Sequence, residues 1–254
     1  MPEGDTIAWS ANRIRPVLEG AVPDEIIAPQ QRHSMDRWPK RLAGRAVTAV
    51  DTHGKHLFIR FEGDLVLHSH LGMTGSWTVA SERRAWRRAW IVLRRGDRWV
   101  AELDGPTLEL ITEGRRRFDQ RLAGLGPDVL AAEFDSDRFL ARLRADDPTR
   151  ALGDALLDQR NVAGIGNIWK AEGCWEAAID PWRAISGVSD DEALRVIRAV
   201  RPRMQRSAED GPRTIQPRVY RRKGRPCPRC GGPIVSRGQG DANRTTYWCP
   251  RCQR

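Results

Sequence analysis

The second residue of the chain is a proline. In Met1-Pro2-Glu3, removal of the initiator methionine would leave Pro2 as a free secondary amine. An α-amino group titrates near ~8, so a fair share is unprotonated and nucleophilic at neutral pH. A secondary amine that attacks a sugar C1′ gives an iminium ion, cationic without further protonation, which suits elimination chemistry. Glu3 beside it could carry protons. Lys55 stands in His53-Gly54-Lys55-His56, one of four lysines (Lys40, Lys55, Lys170, Lys223) among 43 basic residues. Arg can hold a phosphate but cannot give up its proton, whereas Lys can. The run from Gln159 to Ile168 reads as a helix end, a turn with Gly164 and Gly166, and Asn167 as the cap of the next helix. Backbone N–H groups at such a start bind phosphate oxygens. Each feature alone has a plain structural reading, because Met-Pro-Glu starts, scattered lysines and two-glycine turns are all common.

The cysteines are more specific. Cys227-Pro-Arg-Cys230 and Cys249-Pro-Arg-Cys252 enclose eighteen residues. Two thiolates from one tight knuckle reach half of a tetrahedral ion and a second knuckle completes it, the spacing of a zinc ribbon. Gly231-Gly232-Pro233 turns the chain out of the first knuckle and 245–248 reads as a strand into the second. The expectation is a β-hairpin finger on one structural Zn2+. Two disulfides compete with it, but nothing points to an oxidising compartment. Cys174 reads as a small buried residue. All five histidines lie within the first 70 residues. His68 and His70 fall on one face of a strand, yet no cysteine or carboxylate stands at ligand spacing, so a polar hairpin face is the expectation.

These groups need elements to hold them. Apolar Ile7, Ala11, Ile14, Val17 and Leu18 recur with a helical period, and Pro16 and Gly20 punctuate the end. A loop with Pro29 and Pro39 follows. Short strands are predicted over 47–50, 56–61, 65–70, 77–80, 89–93, 98–103 and 107–111, parted by turn signals such as Glu62-Gly63-Asp64 and Arg95-Gly96-Asp97. Several short strands at this spacing suggest an antiparallel sandwich. Beyond Gly126-Pro127-Asp128 the pattern turns helical: Phe139, Leu140 and Leu143, then Leu152, Ala155 and Leu156, then Ile168, Ala171 and Trp175, then Ala193, Val196, Ile197 and Val200. The fold expected is α+β and multidomain: an N-terminal β-sandwich with its N-terminal helix over 1–125, a helical domain over 126–212 and the finger over 213–254.

Composition narrows the class. Mean hydropathy is −0.57, and no apolar run reaches the ~18–20 residues of a membrane span. The opening lacks both the basic flank and the apolar stretch of a secretory signal, which argues against secretion. Net charge is +10, and residues 213–254 alone hold 11 basic side chains against one acid, Asp241. An excess packed into one short segment suggests a polyanion partner, although a solvated basic tail would look the same by charge alone.

Pro2-Glu3-Gly4, Lys55 in its Gly-Lys-His-Leu turn, the segment from Asp158 to Asn167 and the four-cysteine finger occur in the order seen in one family. Over nearly the whole chain the sequence resembles the formamidopyrimidine-DNA glycosylase/endonuclease VIII family of base-excision repair enzymes. The resemblance implies that the helical segment is a helix-two-turn-helix domain. It implies that Pro2 is the Schiff-base nucleophile at C1′ and Glu3 the neighbouring proton carrier. Lys55 and Asn167 would bind phosphate, with Lys55 assisting β-elimination. Arg244 would be the finger-tip arginine of phosphate binding and δ-elimination. The implied partner is damaged double-stranded DNA, with the lesion base flipped out of the stack. The implied protein is a cytoplasmic, nucleoid-associated monomer that needs no cofactor beyond zinc.

Departures bear on substrate. The family's Pro-Glu at positions 5–6 is here Asp5-Thr6, so a carboxylate near the reacting sugar is missing unless Asp5 substitutes. The Met-Pro-Glu-Gly opening leans towards the endonuclease VIII branch. In contrast, Leu71-Gly72-Met73-Thr74-Gly75 resembles the formamidopyrimidine branch, whose Met fills the gap left by the flipped base. The alternative filler is His70, near the position of a Gln in the endonuclease VIII branch. Arg116-Arg117-Phe118 resembles the former branch's Arg and Phe but lies too close to Gly126-Pro127 for its register, and is read as coincidence. The expected activity is a bifunctional glycosylase/AP lyase that removes oxidised bases, pyrimidines first, and cuts by β,δ-elimination. The rivals are a formamidopyrimidine/8-oxoguanine enzyme and a non-catalytic damaged-DNA binder, the latter favoured by Thr6.

Overall fold

The computed structural model describes residues 2–82, 84 and 86–254. The chain divides into two compact units, Met1–Ala123 and Gly124–Arg254.

In the first unit, helix α1 (Gly4–Leu18) buries Ile7, Ala11, Ile14 and Leu18 on one stripe. It runs two residues past Pro16, because a proline so near the end removes only one ladder bond. The region expected as a plain loop instead holds strand β1 (Glu25–Ile27) and two single-turn helices, α2 (Gln31–Met35) and α3 (Trp38–Leu42). Pro39 sits in the first turn of α3, where its missing N–H costs nothing. The remaining strands are β2 (Val47–His53), β3 (His56–Phe61), β4 (Leu65–His70), β5 (Ser76–Ala80), β6 (Ala89–Arg95), β7 (Arg98–Leu103) and β8 (Thr107–Thr112). They form two antiparallel four-stranded sheets, ordered β1-β6-β7-β5 and β2-β3-β4-β8. Leu57, Ile59 and Leu67 of one sheet and Ile91, Leu93 and Val100 of the other share a core with α1, the sandwich expected from the spacing of short strands.

The outer face of the second sheet is not left to solvent. Helices α4 (Glu113–Phe118) and α5 (Gln120–Ala123) follow β8, and Leu122 packs against Phe58, Val66 and Ile111. This cover explains why β3 and β4 read as nearly continuous apolar runs rather than strict alternation.

The second unit packs helices α6 (Ser136–Ala145), α7 (Leu152–Leu157), α8 (Asn167–Glu176) and α9 (Asp190–Asp210) around one core. A capping box from Ser189 and Glu192 starts α9, and Gly211 at φ 98° ends it. Strands β9 (Val235–Gln239) and β10 (Arg244–Trp248) form the hairpin of the finger.

Candidate functional site

Glu3 is the N-cap of α1, with Pro2 half-buried before it. The Glu3 and Asp5 side chains are both buried at this helix start, where the macrodipole favours carboxylates. Lys55 occupies the tip of the β2–β3 hairpin, whose register closes on His53 and His56. The loop is two residues long, and Gly54 takes φ 58° at its first position, where a II′ turn requires glycine. Lys55 is thus held on a tight turn between paired strands.

The 71–75 loop is braced by glycines. Gly75 N–H donates to the Leu71 carbonyl at 2.8 Å, and a Cβ on Gly75 would meet the Gly105 backbone at 2.7 Å. Thr74 Oγ1 donates to the Asp104 carbonyl at 3.1 Å. Met73 projects from this rigid loop, 72% exposed. A second exposed apolar side chain, Phe118, lies on α4 rather than on a loop. In the β4–β8 register His70 faces Thr107 while Leu65 faces Thr112. The 71–75 loop therefore leaves one end of this strand pair and α4 the other.

In the second unit the turn between α7 and α8 is heavily bonded. Gln159 Nε2 donates to the carbonyls of Leu157 and Ile165, and its Oε1 accepts the Gly164 N–H at 3.0 Å. Gly164 takes φ 102°. Asn167 does not cap α8, contrary to the expectation: Gly166 holds the N-cap position and Asn167 is the first helical residue. Its side chain is drawn the other way, with Nδ2 donating to the Thr245 carbonyl at 2.8 Å, while its buried Oδ1 has no hydrogen-bond partner. Asn167 is thereby tied to the residue next to Arg244, which is exposed at the start of β10.

Two buried charges fix the finger to the helices, and sequence reasoning missed both roles. Lys170 is fully buried, with Nζ donating to Thr246 Oγ1 at 2.5 Å and Gln239 Oε1 at 3.2 Å. Glu172 accepts the N–H groups of Arg218, Val219 and Tyr220 at 2.8, 2.9 and 3.0 Å, and Arg203 at 3.0 Å. The available signal was a lysine and a glutamate set among the apolar positions of α8.

The sulfurs of Cys227, Cys230, Cys249 and Cys252 all lie within 4.8 Å of one another. The pairs Cys230–Cys249 and Cys227–Cys252 stand 3.5 and 3.9 Å apart, close to the ~3.8 Å edge of a tetrahedron with Zn–S bonds of ~2.3 Å. Burial opposes the Cys227 thiolate, but the Trp175 indole N–H at 3.3 Å and the backbone N–H groups of Arg229 and Cys230 outweigh it, and the thiol falls to about 6. Four sulfurs at these separations suit Zn2+, as the spacing implied. Among the described residues no histidine joins a metal-ligand cluster. Cys174 is buried in the helical core, its thiol pushed up to about 12 by burial.

The structure thus groups Pro2, Glu3, Lys55, His70 and Met73 in one unit, and Asn167, Arg244 and the cysteines in the other. No helix among the described residues is long and apolar enough to cross a membrane.

Comparison with known proteins covers the whole chain. Residues 1–121 match the formamidopyrimidine-DNA glycosylase N-terminal domain, 125–218 the formamidopyrimidine-DNA glycosylase H2TH domain and 224–254 the zinc finger found in FPG and IleRS. The chain is 39% identical over 268 residues to the probable endonuclease 8 2 of Streptomyces coelicolor, spanning 100% of this chain and 94% of that one. It is 36% identical over 261 residues to the DNA-(apurinic or apyrimidinic site) lyase Nei2 of Mycolicibacterium smegmatis, spanning 100% and 99%. The crystal structure of Lactococcus lactis Fpg (MutM) with DNA containing N7-benzyl-Fapy-dG superposes at a TM-score of 0.82, with 25% identity over 100% of both chains. Identity is higher to the endonuclease-8-named relative than to the Fpg-named one.

Proposed function

Because the chain belongs to the formamidopyrimidine-DNA glycosylase/endonuclease VIII family, we propose the following division of labour among its residues. The protein is a bifunctional DNA glycosylase/AP lyase of base-excision repair that binds DNA and acts on oxidised bases through its N-terminal domain. The observation that carries this is the succession of three family domains along one chain, with four sulfurs of the last set at zinc-binding distances.

With Met1 removed, the Pro2 nitrogen forms a bond to C1′ of the damaged nucleotide. The N-glycosidic bond breaks, and its electron pair leaves with the base. Glu3, buried at the helix start beside Pro2, moves the proton that this exchange requires. The C1′–O4′ bond then opens, O4′ takes up the proton that the Pro2 nitrogen has lost, and the nitrogen lone pair completes an iminium. The iminium acidifies the C2′ hydrogen; loss of that proton expels the 3′ phosphate, and a second elimination expels the 5′ phosphate. Lys55 on its hairpin tip holds a phosphate and assists the first elimination, and Arg244 serves the second. Asn167 contributes to backbone binding through its remaining amide N–H. Zinc, held by Cys227, Cys230, Cys249 and Cys252, supplies structure to the finger and takes no part in these steps.

Oxidised pyrimidines in double-stranded DNA are the favoured substrates, a reading supported by the higher identity to endonuclease-8-named relatives. A second reading, a formamidopyrimidine/8-oxoguanine enzyme, is favoured by Met73, exposed on its braced loop where a wedge could enter the stack. His70 is the alternative filler. The protein acts as a monomer in the cytoplasm, at the nucleoid.

Borohydride trapping on an oligonucleotide with a single abasic or oxidised site tests the nucleophile. Wild type gives a covalent adduct, and Pro2→Gly or retention of Met1 removes it; equal trapping in these variants sinks the assignment. Competition of 5-hydroxyuracil against 8-oxoguanine opposite C separates the two substrate readings.

A further inference from the structure

The hairpin that carries Lys55 is backed by histidines on the outer face of sheet β2-β3-β4-β8. The register pairs His56 with His70 and Phe58 with His68, so the three imidazoles share the face opposite Leu57, Ile59 and Leu67. His56 Nδ1 lies 2.9 Å from His68 Nε2, and His68 Nδ1 lies 3.3 Å from Glu109 Oε2. Glu109 also receives Arg121 Nη2 at 3.1 Å, and Arg121 is held in turn by Asp119 at 2.6 Å.

Polarity propagates along this row by elimination. Glu109, paired with a guanidinium, is an acceptor only. His68 must then carry its proton on Nδ1, which leaves Nε2 as a lone pair. That lone pair requires the proton of His56 on Nδ1, and so His56 Nε2 is an acceptor as well. His70 is set the opposite way: its Nδ1 accepts the Gly72 N–H at 3.3 Å, which leaves Nε2–H as a donor. The rings of His56 and His70 stand 4.8 Å apart.

We propose that Glu109 and His68 are positioning residues that lock His56 as the uncharged Nδ1–H tautomer, so that the Lys55 turn is flanked by a fixed acceptor on His56 and a fixed donor on His70. This rests on the role given to Lys55 above. The charge of Lys55 acts on His70, where a neutral donor adds a phosphate contact without a second charge, and the His56 acceptor stands next in the chain to Lys55. Lys55 is then the group of the turn that meets the phosphate as a cation.

The surroundings keep these imidazoles neutral. Burial is the main cause that lowers His56, with His70, His68 and His53 from the neighbouring strands and Arg121 from α5 acting in the same direction, down to about 3. Burial also lowers His68 against the opposing pull of Glu109, and lowers His70 with Lys55 adding to it. Arg116 of α4 covers the adjoining Phe58 ring.

The protein holds five histidines, few enough to resolve by two-bond ¹H–¹⁵N correlation of the zinc-loaded full chain. The expected result is an Nδ1–H tautomer for His56 and His68, an Nε2–H tautomer for His70, no titration of His56 from about pH 5.5 to 8, and midpoints for His68 and His70 below that of an ordinary imidazole. A His56 found as Nε2–H, or protonated in this range, overturns the proposal without touching Pro2. In single-turnover elimination at a preformed abasic site, His68→Leu and Glu109→Leu are expected to slow the reaction about tenfold and to shift its pH profile. Glu109→Gln, whose amide oxygen still accepts from His68, should stay within about twofold. Wild-type rate and pH profile in both leucine variants would overturn the positioning role. Loss of borohydride trapping in Pro2→Gly is a separate readout, so failure of the lyase reading and failure of the relay are told apart.

Discussion

Glu172 of the second unit and Glu102 of the first are both buried carboxylates, and their surroundings could hardly differ more. Glu172 is met by three backbone N–H groups and the Arg203 guanidinium. Neither oxygen of Glu102 completes a hydrogen bond. Burial dominates there over the nearby Gly105 amide, and the carboxyl rises to about 8. Glu102 sits directly beneath Gly105, whose backbone abuts the loop that presents Met73. In the helical and finger unit the two buried charges Lys170 and Glu172 are both satisfied and each ties α8 to the finger segment, while the unpartnered atoms there, Asn167 Oδ1 among them, belong to neutral or cationic side chains rather than to a carboxylate. The sandwich leaves a buried acid unmatched beside its candidate loop, the usual place for local instability to be tolerated.

Removing zinc should break the second unit's side of this contrast most severely. Cys249→Ala, or a strong chelator, is expected to unfold the finger, because structural zinc binding contributes roughly 10 kcal/mol or more of apparent folding free energy. DNA affinity in a gel-shift or anisotropy assay should collapse, and metal analysis should show less than one zinc per chain. Retained affinity without metal would mean that the helices alone carry binding.

Glu172→Leu should come next. It strands three backbone donors and one guanidinium, at a cost of about 3–5 kcal/mol. The urea midpoint of the zinc-loaded protein should fall accordingly, while borohydride trapping by the folded fraction persists. An unchanged midpoint would show that the anchor is redundant with Lys170.

Glu102→Gln tests the first unit. The folded carboxyl titrates at about 8 and the ordinary value is 4.5. The folded state therefore keeps a proton that the unfolded state has lost, and stability declines as pH rises from the lower value through the upper one. At pH 5 the variant and wild type should melt alike. Near pH 8.5 the variant should melt higher, by about 3 °C or more. Parallel melting curves at both pH values would show that Glu102 finds a partner in solution.

The smallest effect belongs to Arg244→Gln. If Arg244 contacts one phosphate, the slope of log affinity against log salt should fall by about 0.9, with the strand-cleavage pattern shifting from β,δ- towards β-elimination. An unchanged slope would place Arg244 off the DNA.

Much of this was legible before any coordinates. The CPRC pair at its spacing named the metal, because two knuckles on one ion are a local and nearly sequence-encoded device. The succession of short strands and turn signals over 47–111 named the sandwich, and Pro2, Lys55, the segment from Asp158 to Asn167 and the four-cysteine finger together pointed to the family. The α2–α3 region was missed because its short helices are held by tertiary packing of Trp38 and Leu42 rather than by periodicity. Asn167 was misassigned as a cap because a helix-start Asn usually bonds its own helix, and only the nearness of β10 offered it another acceptor.

What the sequence determined by itself was therefore everything carried by residue type and short-range spacing: the zinc ligands, the proline at position 2, the lysine on a glycine turn and the order of domains. What only the tertiary structure decided was the state of the groups around them. His68 meets Glu109 across a strand pair, 41 residues away in sequence, and Glu172 meets Val219 across 47. Tautomer, burial and hydrogen-bond satisfaction depend on which side chains register and packing bring within about 3 Å, and no local pattern encodes that.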